Sequence, residues 1–219
     1  SIISHDLKNP ALAQRNALQA LVNDAAELDA ESLSHYYAML LKSADAQVEL
    51  LYNLLDWARV QTGRIPFTPV TFPLSRVVED EVSLMHMPIE SKSIRLTVDV
   101  LDDLCANADR NMVATVLRNL LTNAIKFSHP EGRIAISARQ DGTWITVSVA
   151  DDGVGMSADK LRTLFDAGRE QSTRGTRGET GSGLGLVVCK HFVERNGGRL
   201  TAQSEESRGT TFFFTLKAE

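Results

Sequence analysis

Between Ile3 and Val22, the apolar residues Ile3, Leu7, Ala11, Leu18, Leu21 and Val22 recur at three-, four- and seven-residue steps, as one stripe of a helix does. The segment from Asp24 to Asp29 interrupts that stripe. A second stripe runs through Leu33, Tyr37, Leu40, Ala44, Val48, Leu51, Leu55 and Ala58, and Gly63 stands where a helix end favours glycine. The pattern predicts an antiparallel helical hairpin over residues 1–63. A lone hairpin leaves half of each apolar face in water, so a second copy completing a four-helix bundle is expected, a homodimer through residues 1–63.

Arg64 to Pro73 carries Pro66, Pro69 and Pro73, which remove backbone donors and favour extended chain, so residues 64–72 read as a linker. Beyond it the period alternates. Helices are expected at Leu74–Met85, Arg110–Phe127, Ala158–Phe165 and Leu184–Arg195, and strands at Ile94–Val100, Arg133–Arg139, Trp144–Ala150, Arg199–Ser204 and Thr210–Leu216. Asp141-Gly142 between two alternating runs is a strong hairpin signal. A mixed sheet covered on one face by helices is the economical solution. The expected class is α+β, with the hairpin followed by an α/β sandwich over residues 73–219.

Composition narrows the partners. The 219 residues carry a net charge of −5 with Lys and Arg dispersed, which argues against nucleic acid. No apolar run approaches the roughly 20 residues that cross a bilayer, and no signal segment opens the chain, so this piece reads as soluble, and its two lone cysteines fit a reducing cytoplasm. Ser1-Ile2-Ile3-Ser4 enters a helical pattern with no start signal, as if the chain began inside a longer helix. Any membrane attachment would then come from segments upstream. Cys105 and Cys189 lack C-x-x-C spacing, so neither a disulfide framework nor a zinc site is expected.

Three stretches of the second half carry candidate chemistry. Asp151-Asp152-Gly153-Val154-Gly155 follows a predicted strand. An ionised Asp151 only accepts hydrogen bonds, which suits the exocyclic amine of adenine and not the guanine carbonyl edge, while Gly153 and Gly155 let the backbone come close to a base. A surface Asp-Gly turn is the equally good alternative. Gly181-Ser182-Gly183-Leu184-Gly185-Leu186 opens a helix whose exposed N–H groups would favour phosphate oxygens, although it matches neither the Walker loop nor the dinucleotide fingerprint. The Gly-, Ser-, Thr-, Arg- and Glu-rich run from Ala167 to Thr180 before it reads as a lid over a nucleotide or as a plain surface loop. In Asn119 to Phe127, apolar residues take one side of a helix and Asn119, Asn123 and Lys126 another. These could converge on a triphosphate and its Mg2+, for which Asn123 is the candidate ligand, or form only a solvated polar face.

Joined in this order, the three stretches resemble the GHKL ATPase superfamily of gyrase, heat-shock chaperones, mismatch-repair ATPases and histidine kinases. Ser4-His5-Asp6-Leu7-Lys8-Asn9-Pro10, on the hairpin, is similar to the phosphoacceptor box of sensor histidine kinases. Asn119–Phe127, Asp151–Gly155, Leu164-Phe165, Gly181–Leu186 and Gly209-Thr210-Thr211-Phe212 resemble that family's N, first glycine, F, second glycine and last glycine boxes.

The resemblance implies an ATP-dependent enzyme that phosphorylates its own His5 and passes the phosphoryl group to an aspartate of a response-regulator receiver domain. A histidine pKa of about 6.5 leaves a neutral, nucleophilic imidazole at physiological pH. By resemblance Asp6 is the base that takes the other ring proton, and Asn9, one helical turn on, orients water for a phosphatase activity toward the regulator. The resemblance further implies that Asn123 holds Mg2+, Lys126 contacts phosphate, Asp151 binds adenine, Phe165 packs near the lid, and Phe127, Thr210 and the glycine boxes complete the ATP site. Related ATPases that hydrolyse ATP with water place Glu at the position of Asn119, and an amide is no useful base, so transfer to histidine should exceed hydrolysis. His35, His86, His129 and His191 match no site of the family and read as surface or packing residues. An ATPase driving clamp closure and a catalytically silent nucleotide-binding scaffold are the competing readings.

Overall fold

A computed structural model describes residues 2–24, 28–62, 66–165, 175–177, 179 and 184–219. Both predicted stripes are helical: α1 spans Ile2–Asp24 and α2 spans Ala30–Thr62. Asp29 starts α2, its side chain accepting the Ser32 N–H at 2.8 Å. Ala17, Ser43 and Leu50 are buried along the hairpin, and Gln47 Nε2 donates to Gln14 Oε1 at 3.0 Å across it. Much of the apolar stripe stays in water, with Leu18, Val22, Val48, Leu51 and Leu55 among the exposed residues.

The second part is built from β1 (Val70–Pro73), α3 (Leu74–Leu84), α4 (His86–Ser91), β2 (Arg95–Asp99), β3 (Cys105–Ala108) and α5 (Arg110–Phe127). It continues with β4 (Arg133–Asp141), β5 (Trp144–Asp151), α6 (Ala158–Thr163), α7 (Leu184–Arg195), β6 (Leu200–Glu205) and β7 (Gly209–Ala218). The described strands form one sheet ordered β1-β3-β7-β5-β4-β2, with β6 also paired to β7. Only the β2–β4 pairing is parallel, so the sheet is mixed as expected.

Strict alternation sets its two faces. Ile134, Ile136 and Ala138 of β4, Ile145, Val147 and Val149 of β5, and Phe212, Phe214 and Leu216 of β7 are buried toward α3, α5 and α7. The opposite face carries mostly small and polar residues, with Trp144 and Phe213 beside them; the hydroxyls of Ser137 and Ser148 there lie 2.7 Å apart.

Two short strands and a short helix depart from the sequence-based expectations. Val70–Pro73, within the proline-rich stretch, pairs antiparallel with β3 at the sheet edge, where a proline at the strand end costs little. Strand β3, Cys-Ala-Asn-Ala, has no branched or aromatic residue to announce it, yet Ala106 and Ala108 are fully buried. Helix α4 is only six residues long, too short to show a period. Cys105 and Cys189 are both free.

Helix α5 is the central element. Met112, Val113, Val116, Leu117, Leu120, Leu121, Ala124 and Ile125 are its buried stripe. Its start is fastened by Asp109, whose carboxylate accepts the N–H groups of Asn111 and Met112 at 3.1 Å and of Thr68 at 2.9 Å, while the Asp109 N–H donates to Asn196 Oδ1 at 2.7 Å. The buried side chain of Asp109 thus joins the start of α5 to the extended segment before β1, and its backbone N–H adds the residue after α7. Asp109→Ala is expected to destabilise this part by about 2 kcal/mol, combining a lost cap with an unsatisfied buried N–H. Asp109→Asn should cost less, because it keeps the cap and loses only the Thr68 bond. Urea unfolding measures both; an alanine variant within 0.5 kcal/mol, roughly the scatter of neutral surface changes, would contradict the capping role.

Candidate nucleotide site

Asp151 is reached by extending the core alternation of β5 one step past Val149. It is the last residue of the strand, opposite Thr210 in the register with β7, rather than the first residue beyond a strand ending at Ala150. A carboxylate therefore sits where the core rows of two strands run out, and it is 9% exposed. Burial pushes its pKa from 3.8 up to about 6; the N–H groups of Gly153 and Thr210 hold it back, and the charge of Asp152 adds to the rise. The Gly153 N–H donates to Asp151 Oδ1 at 2.9 Å, and the Thr210 hydroxyl lies 2.9 Å from that of Ser204.

The turn after β5 is fitted against the end of α5. The Val154 N–H donates to the Phe127 carbonyl oxygen at 3.2 Å, and a Cβ on Gly153 would stand 2.2 Å from that oxygen. Gly155 has φ of +63°, and a Cβ there would stand 1.9 Å from the Glu205 carbonyl oxygen. Both positions need glycine, one for close approach and the other for its left-handed backbone as well. Asp152 closes the other side, its Oδ1 accepting the Arg133 N–H at 2.8 Å.

Asn119, Asn123, Lys126 and Phe127 are all on α5, partly buried, at three- and four-residue spacing on its polar side. Asn119 Nδ2 donates to the Thr115 carbonyl oxygen at 2.9 Å, so its amide oxygen is the group available to a donor or cation. Lys126 Nζ lies 4.8 Å from the centroid of the Phe127 ring, and Lys160 Nζ of α6 lies 5.8 Å from it. Burial lowers the Lys160 pKa.

Phe165 is partly buried against the hydrophobic core. Leu184, buried, and Gly185 are the first two residues of α7. Gly181, Ser182 and Gly183 lie outside the described residues, as does most of the run read as a lid. His5, Asp6 and Asn9 belong to α1, and their side chains also lie outside what is described. Of the four remaining histidines, His86 pairs with Glu90 at 3.4 Å, and His191 has a buried Nε2 without a partner.

The structure thus brings Phe127 of α5 against the turn holding Asp151, Gly153 and Gly155, with Thr210 opposite Asp151 and with Asn119, Asn123 and Lys126 earlier along the same helix. Sequence reasoning singled out neither Lys160 over the Phe127 ring nor Lys92 at the end of α5; Thr176 and Glu179, also there, fall within the run read as a lid or a surface loop. Lys92 Nζ donates to the carbonyl oxygens of Ile125 and Lys126 at 2.7 and 3.0 Å, contacts made through backbone atoms that no side-chain pattern reveals. Among the described residues no three of His, Cys, Asp and Glu converge as a metal cluster. A hard cation here would draw on Asn123, phosphate oxygens and water, a donor set that suits Mg2+.

A family model described as histidine kinase-, DNA gyrase B-, and HSP90-like ATPase matches residues 108–219. Sporulation kinase B of Bacillus subtilis is 29% identical over 218 residues, covering 99% of this chain and 48% of that protein. Among solved structures, the catalytic domain of histidine kinase ThkA is 28% identical with a TM-score of 0.61, covering 70% of this chain and 96% of that one. ThkA in complex with response regulator protein TrrA aligns over 99% of this chain and 60% of that one, with a TM-score of 0.75 at 20% identity, a likeness of fold. The chain spans from 21% to 52% of the length of the curated relatives it matches.

The buried Asp151 also makes a prediction for stability. Its carboxyl titrates near 6 in the folded protein against 3.8 when unfolded, so the folded state holds this proton more tightly. The associated stability is full below about pH 4 and is lost as pH rises through about 6. Asp151→Asn removes the cost of the buried charge. The variant should match the native protein near pH 4 and exceed it by on the order of 2 kcal/mol at pH 7 without nucleotide. Denaturant unfolding across this range is the measurement, and a native protein that gains on the variant as pH rises would contradict the reading.

Proposed function

The chain belongs to the histidine kinase-, DNA gyrase B- and HSP90-like ATPase family, and from that premise we propose that it is the kinase core of a two-component sensor histidine kinase. Residues 73–219 bind ATP, residues 1–63 dimerise and carry the phosphoacceptor His5, and residues 64–72 link the two. The observation that carries this reading is the junction of α5 with the Asp151 turn. A buried acceptor for the adenine amine and a polar helix face for phosphates and cation are held together by the Phe127–Val154 hydrogen bond. The sequence around His5 adds the phosphoacceptor.

Each residue has a role that its chemistry permits. Asp151 accepts from the adenine amine and, having no proton to give at neutral pH, disfavours guanine. Asn123 would hold Mg2+, which neutralises charge on the phosphates when bound, and Lys126 contacts phosphate. The neutral imidazole of His5 attacks the γ-phosphorus in line as the bond to the β-phosphate oxygen breaks, releasing ADP. Asp6 takes the proton from the other ring nitrogen and stabilises the imidazolium that develops. Asn119, an amide where water-using relatives carry Glu, gives no base to a water molecule, which favours transfer over hydrolysis.

The phosphoryl group then passes to an aspartate of a response regulator, a partner of the kind with which ThkA was solved. Asn9, one turn from His5, would orient water for the reverse signal, dephosphorylation of the regulator. The apolar residues left exposed on α1 and α2 support a homodimeric four-helix bundle. No described helix is long and apolar enough to cross a membrane. We place the chain on the cytoplasmic side, where ATP and response regulators are found.

His5→Gln should abolish incorporation of label from γ-labelled ATP with magnesium. The native protein should form a phosphoprotein that is labile to acid and stable to alkali. A labelled, acid-labile His5→Gln protein would show another acceptor. Brisk phosphate release without any phosphoprotein would favour the hydrolytic branch of the family.

A further inference from the structure

A buried lysine outside every matched motif sits at the end of α5. Lys92 is 3% exposed, and its ammonium donates to the carbonyl oxygens of Ile125 at 2.7 Å, Lys126 at 3.0 Å and Ser128 at 3.5 Å. It also donates to the Thr176 hydroxyl at 2.9 Å and pairs with Glu179 Oε1 at 2.6 Å. The first three bonds cap a helix end. The last two reach residues beyond α6 that add nothing to the sheet core.

Those residues are in turn fitted against Lys126. The Thr176 N–H donates to the Lys126 carbonyl oxygen at 3.1 Å, and a Cβ on Gly175 would stand 2.6 Å from Lys126 Cγ. Glu179 folds the segment on itself: its carbonyl oxygen accepts the Gly175 N–H at 2.8 Å and its carboxylate the Arg177 N–H at 2.7 Å. Burial pushes the Glu179 carboxyl up, but the hydrogen bond from Lys92, backbone donors and the Lys92 charge bring it below its usual value. It is therefore ionised at neutral pH, as the pairing requires.

We propose that Lys92 is a positioning residue for nucleotide binding, its buried ammonium clamping Thr176 and Glu179 onto the end of α5 beside Lys126. This rests on the assignment of the α5 end as the ATP site. A helix cap alone would require only the carbonyl contacts. The added ion pair to Glu179, whose side chain is 29% exposed against 4% for Lys92, gives the second function. An unclamped segment must be ordered each time nucleotide binds, which weakens binding without altering the chemical step.

Glu179→Gln and Thr176→Val test the clamp without disturbing the core. Each should raise the dissociation constant for ATP with magnesium three- to tenfold by calorimetry. Autophosphorylation at saturating ATP should stay within twofold, and the melting temperature without nucleotide should fall by less than in Lys92→Met. Trypsin should cut after Arg177 several-fold faster. Lys92→Met should weaken ATP at least as much and also melt lower; adding Glu179→Gln to it should weaken ATP no further. Native affinity in Glu179→Gln, or an additive loss in the double variant, overturns the clamp. A native protein that fails to bind ATP at all overturns the nucleotide assignment and the clamp with it.

Discussion

A helix that ends inside a protein leaves its last four carbonyl oxygens without intrahelical donors, and each must find one or cost stability. At the end of α5 the four are met from four directions. Ala124 accepts from the Ser128 backbone and hydroxyl, Ile125 from Lys92, Lys126 from Lys92 and Thr176, and Phe127 from the Val154 N–H. Satisfying that helix end is what gathers the site. The donor from Val154 fastens the Asp151 turn to α5, and the ammonium of Lys92 fastens Thr176 and Glu179. The concentrated negative end of the helix dipole makes a buried ammonium a suitable partner there.

The same economy explains why one sheet face has chemistry at its end. Alternation along β5 and β7 carries apolar residues inward until it delivers Asp151 and Thr210 at the rim of the core. The carboxylate is desolvated enough to be raised to about 6 and still ionised at neutral pH. Its burial is a cost to folding that becomes useful only when an amine donor is present, a trade expected of a binding site rather than of a structural residue. The hairpin differs, since its leucines and valines are left exposed, the observation on which the proposed dimer rests.

How much of this was legible in the sequence depended on whether the signal was periodic. Helices α1, α2, α5 and α7 and strands β4 to β7 repeat a clear period, and their bounds fall close to expectation. Strand β1 was hidden because its Val-Thr-Phe run is only three residues long within a proline-rich stretch, and β3 because alanine and asparagine carry no strand signal; only the sheet shows them to be strands. The site residues of α5 and the Asp151 turn were legible as motifs, but their contact was not, because it runs through the Phe127 carbonyl and the Val154 N–H. Lys92 was illegible for the same reason: its capping partners are main-chain oxygens more than 30 residues away. Asp109, plain as a residue before a helix, gave no hint that it also receives Thr68 from across the fold.

The central claim is that the end of α5 and the Asp151 turn together form one adenine-nucleotide site. Titration with ATP and magnesium, followed by backbone amide resonances, tests it most directly. The account predicts saturable shifts at Asn119, Asn123, Lys126, Gly153 and Thr210, and only weak ones with GTP. Shifts confined to other surfaces, or an equal response to GTP, would contradict it.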